Sequence, residues 1–208
     1  FLYSRAFQMM VSTNRLRVME VLADATNVFA DGEVLQLMNM HDPDISVDDY
    51  LRVIEYKTAK LFEASTRLGA LISDASPEVE EACAAYGRAL GTAFQLIDDL
   101  LDYEGTTAEL GKNIGDDLRE GKPTLPLLAA MQRGTPEQRE MIRSAILNGE
   151  VERMPEIVAV VKATGALDVT REAAQAQAEV AKKCLEALPV SEWREALLQL
   201  SFDSIHRS

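Results

Sequence analysis

Residues 94–103 read FQLIDDLLDY, and this stretch decides the fold. In a helix, successive residues turn by about 100°, so the polar positions of the stretch share one face, at Gln95, Asp98, Asp99 and Asp102. The other positions are apolar, and a helix that is apolar around most of its circumference is normally buried. Burying carboxylates together is costly unless a cation compensates their charge. Because carboxylate oxygens suit Mg²⁺, the three aspartates are predicted to bind this metal, and an exposed acidic face is the alternative.

The helical period of 3.6 residues continues along the rest of the chain, and no stretch shows the alternation of a half-buried strand. Caps and prolines divide the pattern into long helices, predicted over residues 15–40, 46–73 and 77–103. A polar, glycine-containing loop follows over residues 104–122, and its length favours a functional role. Shorter helices are predicted to begin near residues 123, 135, 151, 167 and 191. The chain is therefore predicted to form a single all-α domain over residues 1–208.

Three lysines are candidates for binding a phosphate group. Lys57, followed by Thr58, lies on a partly apolar helix face, where a lysine more commonly extends its amine to water. Lys112 and Lys122 each follow a glycine in the polar loop, where ordinary solubilising charges are the alternative. Lys122 also precedes the helix predicted from residue 123, whose free N–H groups favour an anion. The acidic pair at residues 116–117 has no apolar flanks and is not assigned to a metal motif.

The composition excludes several classes of protein. The chain has 208 residues, 47% of them hydrophobic, and 21 Lys and Arg against 34 Asp and Glu give a net charge of −13. A protein this acidic repels nucleic-acid phosphates, so no nucleic-acid partner is expected. No apolar run approaches the roughly 20 residues that a membrane span needs. The two cysteines, Cys83 and Cys184, lie in helical patterns and predict reduced thiols in the cytoplasm.

Several segments, taken together, resemble the trans-polyprenyl diphosphate synthase family. Besides FQLIDDLLDY, these segments are GKNIGDDL at residues 111–118, EGKPTLP at 120–126, KTAKLF at 57–62 and GEVLQ at 32–36. Their order and spacing agree with those of the family, and the resemblance covers essentially the whole chain. Within the family, the sequence most resembles bacterial octaprenyl diphosphate synthases of the quinone side-chain pathway.

The resemblance implies a bundle of long antiparallel helices around a central apolar channel. It also implies a Mg²⁺-dependent enzyme that condenses isopentenyl diphosphate with an allylic prenyl diphosphate, repeatedly, to a long-chain product such as octaprenyl diphosphate. The stretch 98–102 matches the family's second aspartate-rich motif, which implies metal binding by Asp98, Asp99 and Asp102. The residues that match diphosphate-binding positions are Lys57, Thr58, Gln95, Lys112 and Lys122. Those assigned to catalysis are Lys57, Thr58, Gln95 and Asp98.

The family's first aspartate-rich motif is not found, and residues 1–7 resemble the sequence that shortly follows it. We expect either that N-terminal helices precede Phe1 or that the chain lacks this motif. In the second case, a non-catalytic partner subunit of a heteromeric synthase is the alternative function. A shorter-chain farnesyl or geranylgeranyl synthase and a terpene cyclase are further alternatives. The resemblance also implies a homodimer without a transmembrane segment, in contact with a membrane only transiently, when product is released.

Overall fold

The computed structural model describes residues 1–104, 115–150 and 152–207, and this part of the chain is helical, without a β-strand. The first half contains α1 (Leu2–Ser12), α2 (Leu16–Asn39), α3 (Val47–Ile54), α4 (Lys60–Ile72) and α5 (Pro77–Glu104). A π-helical turn, Glu55–Ala59, joins α3 to α4 without a break. The second half contains α6 (Asp116–Arg119), α7 (Leu125–Arg133), α8 (Pro136–Asn148), α9 (Met154–Ala163), α10 (Ala166–Cys184) and α11 (Glu192–Ile205). The predicted all-α fold is confirmed. Among the described residues, no helix combines the length and the apolar character needed to cross a membrane.

Side-chain caps explain where several helices begin. The Ser46 hydroxyl accepts a hydrogen bond of 3.0 Å from the backbone N–H of Asp49 at the start of α3. Thr135 and Gln138 form a reciprocal capping box at the start of α8, and the Ser191 hydroxyl caps α11. Such caps satisfy N–H groups that have no partner within the helix. The helix starts predicted from these polar residues are confirmed.

Two helical features differ from the prediction. The helix predicted from residue 123 begins at Leu125, because the N–H of Lys122 donates to the carbonyl of Asp117 (2.9 Å) and closes α6 instead. The backbone of Thr124 is extended, so Lys122 does not lie directly at a helix N-terminus. The helix predicted over residues 46–73 contains the π-helical turn, which the sequence pattern does not predict.

The core forms around α5, which packs most extensively against α4 and α10. Leu96, Ile97 and Leu100 of α5 are almost completely buried in the main apolar cluster, together with Leu127 and Ile142. Each such side chain contributes roughly 1.5–3 kcal/mol through burial. A smaller cluster lies nearer the N-terminal end of α5 and contains Tyr86, Leu90 and Leu185. The helix that carries the three aspartates is therefore the central element of the fold.

Two glycines let neighbouring helices approach the π-helical turn very closely. A Cβ atom at Gly32 of α2 would lie 2.7 Å from the backbone nitrogen of Lys57. A Cβ atom at Gly91 of α5 would lie 2.7 Å from the Cα atom of Ala59. The turn thus lies between α2 and α5, and there is no space for a side chain at Gly32 or at Gly91. Single π-helical turns occur frequently at functional sites, and this one carries Lys57 and Thr58.

A buried carboxylate, Glu63, links α4 to α5. It accepts a hydrogen bond from Arg88 Nε (2.9 Å), Lys60 Nζ lies 3.1 Å from it, and Arg67 lies 3.6 Å from it. Burial acts to raise the pKa of Glu63, but the hydrogen bonds from Arg88 and Lys60 outweigh burial and hold this pKa below its ordinary value. Glu63 is therefore ionised, and its charge compensates the surrounding cations.

We expect Glu63→Gln to lower the free energy of unfolding by about 2 kcal/mol, because Arg88 and Arg67 would lose the buried charge that compensates them. Solvent reaches part of Arg88, which limits the loss. Glu81→Gln is the matched control, since Glu81 pairs with Arg67 at the exposed edge of the same interface, and it is expected to cost under about 0.5 kcal/mol. Urea unfolding measures both variants, and equal losses would contradict the expectation.

Candidate active site

A cavity of about 220 Å³ opens where the end of α2, the π-helical turn, α5 and the segment after α6 meet. Most residues singled out in the sequence line it. Its polar and charged residues include Gln36, Asn39, Lys57, Thr58, Gln95, Asp98, Asp99, Asp117 and Lys122. Its apolar residues include Ile45, Val53, Ile54 and Pro123. The fold therefore brings carboxylates and ammonium groups, which lie far apart in the sequence, into one partly apolar cavity.

A chain of hydrogen bonds connects the π-helical turn to α5 and α3. Thr58 Oγ1 donates to Gln95 Oε1 (3.0 Å), and Gln95 Nε2 donates to Asp99 Oδ1 (2.8 Å). Tyr50 Oη donates to Asp99 Oδ2 (2.6 Å), and both of these residues are buried. Hydrogen bonds made away from bulk water are electrostatically stronger and orient their partners. The network therefore fixes Thr58, Gln95 and Asp99 relative to one another.

Asp99 carries an acidic group in an environment that disfavours its charge. Burial, and after it the negative charge of Asp117, raises the pKa of Asp99 to about 7, while hydrogen bonds from Tyr50 and Gln95 oppose this rise. In the described part of the chain, no lysine or arginine forms an ion pair with Asp99. Asp98 is half-buried and lines the same cavity. A cation placed among these carboxylates would remove their mutual repulsion.

Asp102 is positioned differently from the other two predicted metal ligands. Its two carboxylate oxygens accept hydrogen bonds from the backbone N–H groups of Asp116 (3.1 Å) and Asp117 (3.2 Å), at the start of α6. Burial and the charge of Asp117 raise the pKa of Asp102 to about 6. Asp102 thus holds α6 against α5 and places Asp117 at the cavity. The metal-binding role predicted for Asp102 stays a prediction.

Lys57 is held at the cavity by α2. Its Nζ donates to Gln36 Oε1 and lies 3.1 Å from Glu33 Oε1. The π-helical turn supplies the backbone of Lys57, and α2 supplies the partners of its amine. This arrangement differs from an amine that simply extends to bulk water.

Lys122 lines the cavity from the segment that follows α6. Its Nζ lies 2.7 Å from Glu120 Oε2 and 3.1 Å from Asp117 Oδ1. Burial acts to lower the pKa of Lys122, but its hydrogen bond with Glu120 and the charge of Asp117 outweigh burial and raise this pKa to about 12. The ammonium group is therefore charged at neutral pH, and in this structure the carboxylates of Glu120 and Asp117 compensate its charge.

One predicted site residue, Lys112, belongs to residues 105–114, which lie outside the described residues. Conversely, several cavity residues are not predicted from the sequence, among them Tyr50 and Asp117. Tyr50 precedes Lys57 by seven residues, two helical turns, so shared helix-face position is the signal that could have identified it. Asp117 lies in a polar loop, and only its proximity to Lys122 in the sequence pointed to the cavity.

The donor atoms of the cavity suit a divalent cation that the protein coordinates only in part. Asp98, Asp99 and Asp117 supply the hard oxygens that Mg²⁺ prefers. The buried Thr124 hydroxyl, also at the cavity, has no hydrogen-bond partner among the described residues. Within those same residues, no three Asp, Glu, His or Cys side chains converge closely enough to hold a metal ion by themselves. Mg²⁺ commonly takes its other ligands from water and from a phosphate.

Comparisons with known proteins identify the family of the chain. The polyprenyl synthetase family model matches residues 1–163. The whole chain is 52% identical to the octaprenyl diphosphate synthase of Escherichia coli and 46% identical to that of Haemophilus influenzae, and it spans 64% of the length of each.

Solved structures give the same result. A polyprenyl synthase from Caulobacter crescentus, complexed with calcium and isoprenyl diphosphate, superimposes on 99% of this chain with a TM-score of 0.94 and 44% identity. A decaprenyl diphosphate synthase from Rhodobacter capsulatus superimposes on 99% of the chain with a TM-score of 0.91 and 41% identity. The matched regions cover 63% and 64% of those two chains.

Proposed function

This chain belongs to the polyprenyl synthetase family, and we propose that it acts as a prenyltransferase that extends an allylic diphosphate with isopentenyl diphosphate. The observation that carries the proposal is that Asp98, Asp99 and Asp117 line the same cavity as Lys57 and Lys122. Carboxylates bind the divalent cations that bridge to phosphate oxygens. Lysines supply the further positive charge that a diphosphate needs.

We propose that repeated condensations give a long-chain all-trans product, octaprenyl diphosphate. The support is the similarity over the whole chain to two octaprenyl diphosphate synthases. The Caulobacter crescentus synthase was crystallised with calcium and isoprenyl diphosphate, and this supports a diphosphate and a divalent metal as ligands of this chain. Residues 1–208 are proposed to belong to one polyprenyl synthase domain.

We propose Mg²⁺ as the metal, held by Asp98 and Asp99, with Asp102 as the third predicted ligand. When bound, Mg²⁺ supplies Lewis-acid stabilisation of negative charge on the diphosphate. Asp98 is the most direct candidate because its carboxylate is half-buried at the cavity. Asp99 is oriented by Tyr50 and Gln95, and its position therefore depends on the network rather than on the metal alone.

The protein's own polar residues would act on the leaving group. In the reaction, the bond between C1 of the allylic substrate and the diphosphate oxygen breaks, and its electron pair leaves with pyrophosphate. Lys57, Lys122 and the undescribed Lys112 would bind the developing negative charge, and Thr58 and Gln95 would hydrogen-bond the diphosphate. Preorganised charges of this kind stabilise a transition state without reorganising during the reaction.

The apolar residues of the cavity have a separate role. After ionisation, the double bond of isopentenyl diphosphate attacks C1, and loss of a proton restores an allylic double bond. Water would capture the carbocation as an alcohol, so the site must exclude it. Ile45, Val53 and Ile54 supply apolar surface beside the diphosphate-binding residues.

We also propose that the protein is a homodimer. Helix α1 buries none of its residues, and large apolar side chains are exposed on α1 and on the neighbouring α2. Among them are Leu2, Tyr3, Met9, Leu37 and Met38. Exposed apolar surface of this kind marks a protein interface.

The direct test is a product analysis with the full-length protein. Radiolabelled isopentenyl diphosphate and farnesyl diphosphate are incubated with the protein and Mg²⁺, and the dephosphorylated products are separated by chain length. We expect labelled products that grow by five-carbon units up to octaprenol, and no product with EDTA. Absence of labelled product in the presence of Mg²⁺ would contradict the proposal, and a ladder that stops at a shorter chain would contradict the octaprenyl assignment alone.

A further inference from the structure

The connection between α2 and α3 contacts the segment that carries Lys122. The backbone N–H of His41, in this connection, donates to the carbonyl of Gly121 (2.8 Å). The ring nitrogen Nδ1 of His41 lies 2.9 Å from the carbonyl oxygen of Ile146 in α8. His41 is thus bound through its backbone to the Lys122 segment and through its side chain to α8.

The imidazole ring of His41 also packs directly on Gly121. A Cβ atom at Gly121 would come closer than 3.0 Å to three ring atoms, and the φ angle of Gly121 is +76°. On its other side, Lys122 is fixed by the hydrogen bond from its N–H to the carbonyl of Asp117 (2.9 Å). The backbone that carries the Lys122 side chain is therefore held between α6 and His41.

We propose that His41 is a positioning residue that fixes Lys122 relative to Lys57 across the diphosphate-binding cavity. This inference rests on the proposed function, which assigns both lysines to the diphosphate. The end of α2 carries Gln36, whose side chain accepts the hydrogen bond from Lys57. His41 follows directly after this helix end, where the N–H of Met40 donates to the carbonyl of Gln36 (3.0 Å). One helix end thus sets the positions of both lysines.

The backbone conformation of His41 supports a specific role. Its φ angle is +61°, in the left-handed region that residues other than glycine seldom adopt. Such strain persists only where the surrounding structure imposes it, and it is concentrated at functional sites. Glycine at position 41 would relieve the strain and keep the backbone N–H, but it would remove the ring. Asparagine tolerates the left-handed region, and its side-chain amide can donate to Ile146 in place of the histidine ring.

The test measures binding of inorganic pyrophosphate in the presence of Mg²⁺ to the full-length protein by calorimetry. We expect His41→Gly to weaken binding about tenfold, because a small displacement of a charged ligand-binding group has effects of this size or greater. The pyrophosphate affinity of His41→Asn is expected to stay within about twofold of that of the unchanged protein. A difference of this size is no larger than the deviation from additivity found for independent substitutions. In a Lys122→Ala background, His41→Gly is expected to have no further effect, because its influence passes through Lys122.

A matched control in the same connection is Asp44→Asn, which removes the ion pair of Asp44 with Arg143 and is expected to leave pyrophosphate binding unchanged. If His41→Gly binds pyrophosphate as tightly as the unchanged protein, the proposed role of His41 is wrong. It is also wrong if His41→Gly weakens pyrophosphate binding equally in the unchanged protein and in the Lys122→Ala background. If the unchanged protein binds no pyrophosphate with Mg²⁺, the proposed function itself fails, and the inference fails with it. The two failures are therefore distinguishable.

Discussion

The Asp98→Ala variant is expected to lose about 10³-fold in kcat for prenyl transfer, the effect of removing one preorganised group that stabilises developing charge. This loss corresponds to about 4 kcal/mol of transition-state stabilisation. The reason is the position of Asp98, half-buried at the cavity beside Asp99 and near the lysines that would bind pyrophosphate. Without its carboxylate, a divalent cation would lose one of its proposed protein ligands.

Single-turnover assays at increasing Mg²⁺ concentration measure this loss. Asp24→Ala is the matched control, since Asp24 is an exposed aspartate of α2 and is expected to retain full turnover. The melting temperature of Asp98→Ala should stay close to that of the unchanged protein, because removing one of several repelling carboxylates does not open the core. Undiminished turnover of Asp98→Ala at saturating Mg²⁺ would contradict the metal-binding role of Asp98.

The second large effect is expected from Gly91→Ala, which should lower the free energy of unfolding by about 3 kcal/mol. The added Cβ would lie 2.7 Å from the Cα atom of Ala59 and 3.0 Å from the side chain of Phe62. A backbone atom cannot move aside alone, so α5 and the π-helical turn would have to separate. That separation would lengthen the hydrogen bond between Thr58 and Gln95, and we expect activity to fall even at temperatures where the variant is folded.

The chain offers a control with the same chemical change. Gly69, within α4, has no atom within 4 Å of its added Cβ, so Gly69→Ala is expected to stabilise the protein by about 0.5–1 kcal/mol through helix propensity. Urea unfolding of both variants should therefore give changes of opposite sign. A stabilised Gly91→Ala protein would show that the close contact at the π-helical turn is not required.

The long helices could be predicted from the sequence because their determinants are local. Apolar spacing marks α2 and α5, and short-range caps such as Ser46 and Thr135 fix helix starts. The π-helical turn could not be predicted in this way. It is accommodated by Gly32 and Gly91, which belong to other helices and lie more than twenty residues away in the sequence.

The candidate site shows the same division. The three aspartates of α5 stand out because they share a helix face that is otherwise apolar. Asp117 could not be recognised from its loop, because the contact that places it at the cavity is the hydrogen bond that its backbone N–H donates to the carboxylate of Asp102 in α5. The contact of Asp102 with the start of α6 could not be predicted for the same reason. Helical spacing defines a face, but it does not define which neighbour that face meets.

In the proposed mechanism, Asp98 and Asp99 of this cavity bind a divalent cation, and a pyrophosphate binds between Lys57 and Lys122. A crystal structure of the full-length protein with Mn²⁺ and inorganic pyrophosphate, with the metal located by anomalous scattering, tests it most directly. We expect a metal peak at about 2.1 Å from a carboxylate oxygen of Asp98, with pyrophosphate in contact with both lysines. Pyrophosphate and metal bound elsewhere, with Asp98 and both lysines unliganded, would contradict it.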